Sequence, residues 1–169
     1  MRTLRVILAS GALTAAAVTG LAPAASAAPA TAGSCPAGYT KLYVTNGGQD
    51  YYLDAEGIGN TVEVTDTPTC WHPGDSGTYS YITDNSGNCL DWDNGGGYVT
   101  MAACDKAVSE YWYTTAEDGG YLLFANKYAL KHFPKVEYLL AAGALQDGSG
   151  VGLNDVVNAY SEWFRIDTT

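Results

Sequence analysis

The chain has 169 residues, with 18 acidic against 8 basic side chains, a formal charge of −10 and a pI near 4.3. Such a polyanion repels nucleic acid and anionic lipid, so those partners are excluded and neutral, cationic or metal-bearing ones remain. The length suits one domain, large enough for a core and small enough to profit from cross-links.

In chain order, Arg2 and Arg5 precede an apolar run from about Val6 to Leu21, which ends at Ala25-Ser26-Ala27. This is the tripartite pattern of an export signal. The run is too short and too rich in Ala, Gly and Thr for a good spanning helix. Cleavage after Ala27 is therefore expected, leaving 142 residues with six basic and eighteen acidic side chains, a charge of −12. No later segment approaches spanning length, so the expectation is a secreted, extracellular protein without membrane insertion, a monomer or part of a secreted assembly.

Residues 28–38 read as an N-terminal segment, and the folded domain is expected over 39–169. Cys35, Cys70, Cys89 and Cys104 all follow the signal. An even count in an exported chain implies two disulfides. Three pairings are possible; Cys89–Cys104, the pair closest in sequence, is favoured and leaves Cys35–Cys70. A metal site fails on spacing, since there is no close cysteine pair and His72 and His132 are far apart. Neither a metal nor another cofactor is expected.

From Tyr39 onward, runs rich in Tyr, Val, Thr and Trp are broken every eight to twelve residues by Gly, Asn and Asp. Turn signals fall at Asn46-Gly47-Gly48, Asn60, Asn85-Ser86-Gly87, Asn94 to Gly97 and Asp118-Gly119-Gly120. The runs between them predict strands at Lys41 to Val44, Thr61 to Val64, Tyr79 to Thr83 and Tyr98 to Met101, which is all-β patterning. Val136 to Leu145 reads as either a helical turn or a buried strand.

Two stretches imitate reactive sites. Gly74-Asp75-Ser76-Gly77 has the look of a serine-protease nucleophile loop, but the only upstream histidine is His72, four residues before Ser76, and the chain is too short for two barrels. Asp91 to Gly95 lacks the oxygen donor and closing glutamate of a calcium loop. No phosphate loop appears, and nothing singles out two carboxylates for glycoside hydrolysis. The chain is not expected to be an enzyme. Lys127, Lys131, His132 and Lys135 gather in nine residues; they are either a solvated hairpin or a docking face for an acidic partner or polyanionic glycan.

Three segments align on a leucine: Tyr52-Leu53-Asp54, Cys89-Leu90-Asp91 and Ala129-Leu130-Lys131, with periods of 37 and 40. Apolar pairs follow at offsets nine and eleven (Val62/Val64, Val99/Met101, Leu139/Ala141), and Val44, Tyr81 and Tyr121 precede by nine. Within each pair both side chains share a strand face. The third copy is read as carrying extra residues at about 142–156.

Cys89-Leu90-Asp91 through Val99-Thr100-Met101 and Cys104 to Trp112 resembles one repeat of the ricin-type β-trefoil lectins. That repeat opens on Cys-Leu-Asp, holds a disulfide to a cysteine about fifteen residues on, and closes on Gln-x-Trp. Ser161 to Ile166 resembles the closing strand of a third repeat; in the first, the closing aromatic is Trp71 or Tyr79. The resemblance implies a β-trefoil of three four-stranded repeats, at about 39–79, 80–120 and 121–169, with a Greek-key β-sandwich of crystallin type as the alternative. It also implies carbohydrate binding. The family's sugar aspartate falls on Asp91 and Asp54, while the third copy puts Lys131 there. The stacking aromatic falls on Ala102 and the Asn-Gln pair on Ser109 and Glu110. A sugar is therefore expected around Asp91, with Tyr98 and Glu110 as helpers and Asp54 as a second position. The alternative is a secreted protein–protein adaptor or inhibitor on the same fold, so the partner is a carbohydrate or another secreted protein.

Overall fold

The structure, a computed structural model, describes residues 33–93, 97–135, 138–154 and 164–167. The expected export signal lies outside these residues. Among them, no helix is long and apolar enough to cross a membrane.

The first repeat is four strands: β1 (Thr40–Asn46), β2 (Gln49–Asp54), β3 (Glu63–Thr65) and β4 (Cys70–His72). Leu42 and Val44 alternate inward along β1. The two-residue turn into β2 needs positive φ at both centres, and Gly47 and Gly48 supply it at 59° and 87°. In the second repeat the first strand is in two pieces, β5 (Tyr79–Ser80) and β6 (Thr83–Asp84), followed by β7 (Cys89–Asp91), β8 (Thr100–Ala102) and β9 (Trp112–Glu117). The third has β10 (Tyr121–Asn126), helix α1 (Lys127–His132), β11 (Leu139–Ala142), β12 (Ser149–Asn154) and β13 (Phe164–Asp167).

Outer strands of successive repeats pair antiparallel around a closed ring. β1 pairs β4, β4 pairs β6, β5 pairs β9, β9 pairs β10, β10 pairs β13, and β13 returns to β1. The inner strands form three hairpins, β2/β3, β7/β8 and β11/β12. A cyclic set of amide bonds joins them: Val62 N–H donates to Val99 C=O (2.9 Å), Val99 to Val151 (2.7 Å) and Val151 to Val62 (2.8 Å). This is a β-trefoil; a two-sheet sandwich does not fit a ring that closes on itself under a three-hairpin cap.

Strand register identifies the equivalent residues. Leu53 lies opposite Val64, Leu90 opposite Met101 and Leu140 opposite Leu153. The three leucines are fully buried. Leu42, Ile82 and Phe124 form a second buried set, and Trp71, Trp112 and Phe164 a third. The tryptophans satisfy their indole N–H on the central leucine of their own repeat: Trp71 Nε1 donates to Leu53 C=O (2.8 Å) and Trp112 Nε1 to Leu90 C=O (2.9 Å). Trp71 rather than Tyr79 thus closes the first copy.

The third copy departs from its expected register. Its central leucine is Leu140, not Leu130, which is half-buried on α1. The valine matching Val62 and Val99 is Val151, not Leu139. The residue in the aspartate position is therefore Ala141, not Lys131. The extra residues lie between β10 and β11, at 127–138, rather than at 142–156. Within Val136 to Leu145, Leu139–Ala142 is a strand; Val136 and Glu137 lie outside the described residues. Upstream, Tyr81 and Tyr121 are only half-buried, and Ile82 and Phe124 hold the inward places.

Two disulfides fasten the periphery. Cys35–Cys70 ties the segment before β1 to β4, and Cys89–Cys104 ties β7 to the connection after β8.

Candidate functional site

Asp54 and Asp91 end the equivalent strands β2 and β7, each just after the repeat's buried leucine. Both are half-buried. The residue two places before each closing tryptophan then decides their surroundings. In the first repeat it is Thr69, whose hydroxyl donates to Asp54 Oδ1. Asp54 so oriented borders a cleft of about 380 Å³, lined with Glu56, Asn60, Thr61, Glu63 and Thr65. The cleft sits where β2 and β3 splay apart into the loop between them, so one strand pair supplies carboxylates, hydroxyls and an amide to one hollow.

In the second repeat that place holds Glu110, in a 3-10 turn at Val108–Glu110. It is 1% exposed. Its oxygens accept the amides of Asp105 (3.1 Å) and Lys106 (2.9 Å). Lys106 has φ 73°, a left-handed conformation that a lysine rarely adopts and that this bracket holds in place. Burial pushes the Glu110 carboxyl above its ordinary value, against the opposing pull of those two amides, and the Asp91 charge adds to the rise. Glu110 turns both oxygens to those amides, and Asp91 Oδ1 is buried without a hydrogen-bond partner. The neighbouring Trp92 Nε1 is likewise buried and unpartnered.

Tyr98 does not join Asp91 and Glu110. It bridges to Gly152 on β12 and is 55% exposed. Its ring packs against Gly150, where an added Cβ would meet it at 2.7 Å and push the ring aside. Ala102 pairs with Cys89 on the adjacent strand and offers no ring. Tyr98 thus lines a different hollow, with Gly150 and Gly152, while the first-repeat residues converge on one. Thr69 was not singled out from the sequence; its offset from Trp71, the same as that of Glu110 from Trp112, is the signal that finds it.

The protease-like loop is a turn. Gly77 N–H and the Ser76 hydroxyl both donate to Thr114 C=O (2.8 and 3.4 Å), and His72 Nδ1 accepts Gly74 N–H (3.2 Å). Among the described residues no group of three or more His, Cys, Asp or Glu could hold a metal ion.

No protein-family model and no curated protein matches the chain. Among solved structures it is similar to a designed three-fold symmetric protein, ThreeFoil (TM-score 0.61, 17% identity, 78% of this chain and 99% of that one). It is also similar to the cytolethal distending toxin of Haemophilus ducreyi (0.57, 13%, 79% and 87%) and to a GH43 β-1,3-galactosidase (0.55, 14%, 78% and 27%). The chain spans about a quarter of the galactosidase's length. At these identities the likeness is one of fold, and it agrees with the strand register: the chain is a β-trefoil.

Proposed function

We propose that this chain is an exported, non-catalytic carbohydrate-binding module whose sugar sits in the first-repeat cleft. The observation that carries the reading is the convergence of Asp54, Glu56, Asn60, Thr61, Glu63 and Thr65 on one open hollow. Carboxylates accept bonds from sugar hydroxyls, and the amide and hydroxyl side chains both donate and accept. Thr69 presets the Asp54 carboxylate, lowering the ordering cost of binding. Export is supported by the Arg2-to-Ala27 pattern together with two disulfides. The non-catalytic reading is supported by Ser76 and His72, which are taken up in separate turn contacts. A sugar role is in keeping with a β-trefoil that resembles part of a galactosidase.

None of the lining residues is aromatic, so monosaccharide affinity should be weak, about millimolar. A glycan array followed by titration with the best hit tests this. Asp54→Ala should abolish binding, and Asp91→Ala should leave it unchanged. Silence across galactose, mannose and cell-wall sugars, or full binding by Asp54→Ala, would sink the reading.

A further inference from the structure

The connection between the first two strands of a repeat takes two residues in the first repeat, four in the second and twelve in the third. The first two show that the fold needs no more. The third builds α1, anchored by Asn126, which is fully buried. Its Oδ1 accepts the amides of Tyr128 (2.9 Å) and Ala129 (3.1 Å), and its Nδ2 donates to Ser109 C=O (2.7 Å). The start of α1 is therefore held firmly.

It also inverts the character of the surface. Lys127 is engaged, its ammonium lying 5.0 Å from the Tyr79 ring centroid and 4.8 Å from that of Tyr111. Lys131, His132 and Lys135 are exposed, and no ion pair engages either lysine among the described residues. Between them lies a hollow of about 290 Å³, lined by His132, Phe133, Pro134, Lys135 and Tyr138. The Phe133 and Tyr138 rings meet edge to face at 5.4 Å, and His132 stacks on Tyr128 at 3.9 Å, so the aromatic lining is braced. Phe133 remains 37% exposed.

We infer that this face docks an acidic segment of a partner protein, with one apolar side chain seated in the Phe133–Tyr138 hollow and flanking carboxylates on Lys131 and Lys135. Charge decides the sign of the partner: elsewhere a chain of −10 repels acidic groups, so an acidic partner is steered to this one face. The lining decides the class. The Phe133 and Tyr138 rings, Pro134 and the Lys135 stem together seat an apolar side chain, which a uronate lacks. The face belongs to a different repeat from the Asp54 cleft and stands whether or not that cleft takes a sugar.

The test uses the full chain and a fluorescein-labelled octapeptide with one leucine among glutamates, followed by anisotropy. Binding at about 10–500 μM is expected, weakening as salt is raised. The double variant Lys131→Glu/Lys135→Glu changes only exposed side chains and should weaken binding at least about tenfold, since it reverses two rim charges. Phe133→Ala should weaken it several-fold, with an unchanged circular dichroism spectrum. The inference is overturned by no binding at 1 mM peptide, by indifference to either variant, by equal binding of a galacturonate oligomer, or by self-association that the double variant abolishes.

Discussion

In the first repeat Asp54 accepts the Thr69 hydroxyl and faces an open polar cleft. In the second, the equivalent Asp91 keeps a buried oxygen with no partner while Glu110 turns away to the Asp105 and Lys106 amides. The paired strands that end on the two aspartates are equivalent, down to the tryptophan that donates to the preceding leucine, but the segment leading to that tryptophan is longer in the second repeat and carries the 3-10 turn. The side chain two places before the tryptophan, threonine or glutamate, and the turn that carries it separate a preset acceptor from a stranded one. Equivalent positions in a repeat fold inherit a shape; whether they inherit chemistry depends on the donor beside them.

That comparison can be broken at its shared part first. If the two repeats carry the same framework, Trp71→Ala and Trp112→Ala should destabilise by similar amounts, about 3–5 kcal/mol each, in denaturant unfolding. Unequal losses would show that the likeness of the two copies is only geometric. The difference between the copies should appear at the aspartates. Asp54→Ala gives up a hydrogen bond and should cost about 1 kcal/mol. Asp91→Ala removes an unpartnered buried oxygen and should leave stability unchanged or raise it by up to about 1 kcal/mol. The same two midpoints, compared with wild type, decide it; a loss at Asp91 equal to that at Asp54 would mean that Asp91 has a partner in solution.

The smallest effect lies in pH. Because the Glu110 carboxyl is raised in the folded state, its contribution is complete below its ordinary value of 4.5 and is lost as pH rises through the raised value. The stability of wild type relative to Glu110→Gln should therefore fall as pH climbs above 4.5. In an Asp91→Asn background the fall should shrink, since the Asp91 charge adds to the shift. A difference that is flat with pH would remove Glu110 from the comparison.

The all-β class and the first two copies were legible because Leu53/Leu90 and Val62/Val99 recur at a fixed spacing of 37 with turn residues between. The third was misread for a physical reason. Leu130 stands 40 residues after Leu90, close to the expected period, but it belongs to a helix that the insertion builds; the true partner, Leu140, is 50 along. Neither residue type nor spacing separates the two leucines. What separates them is Asn126, whose capping of α1 depends on a contact to Ser109 in the previous repeat. The surroundings of the site residues were illegible for a different reason. Glu110 reads as a helper to a sugar, and only the folded connection brings the two amides that draw it inside. Tyr98 reads as a helper to Asp91, but the glycines it packs against, Gly150 and Gly152, lie more than fifty residues away.

The cyclic amide set of Val62, Val99 and Val151 has a consequence for how the molecule comes apart. Each bond is donated by one repeat and accepted by another, so no single repeat, and no pair, contains the whole cycle. Loosening any one hairpin exposes an amide on one neighbour and a carbonyl on the other. These three amides should exchange with solvent deuterium at one common rate, set by global unfolding rather than by local opening. The cap is in that sense a single cooperative switch shared by three stretches of sequence that otherwise differ.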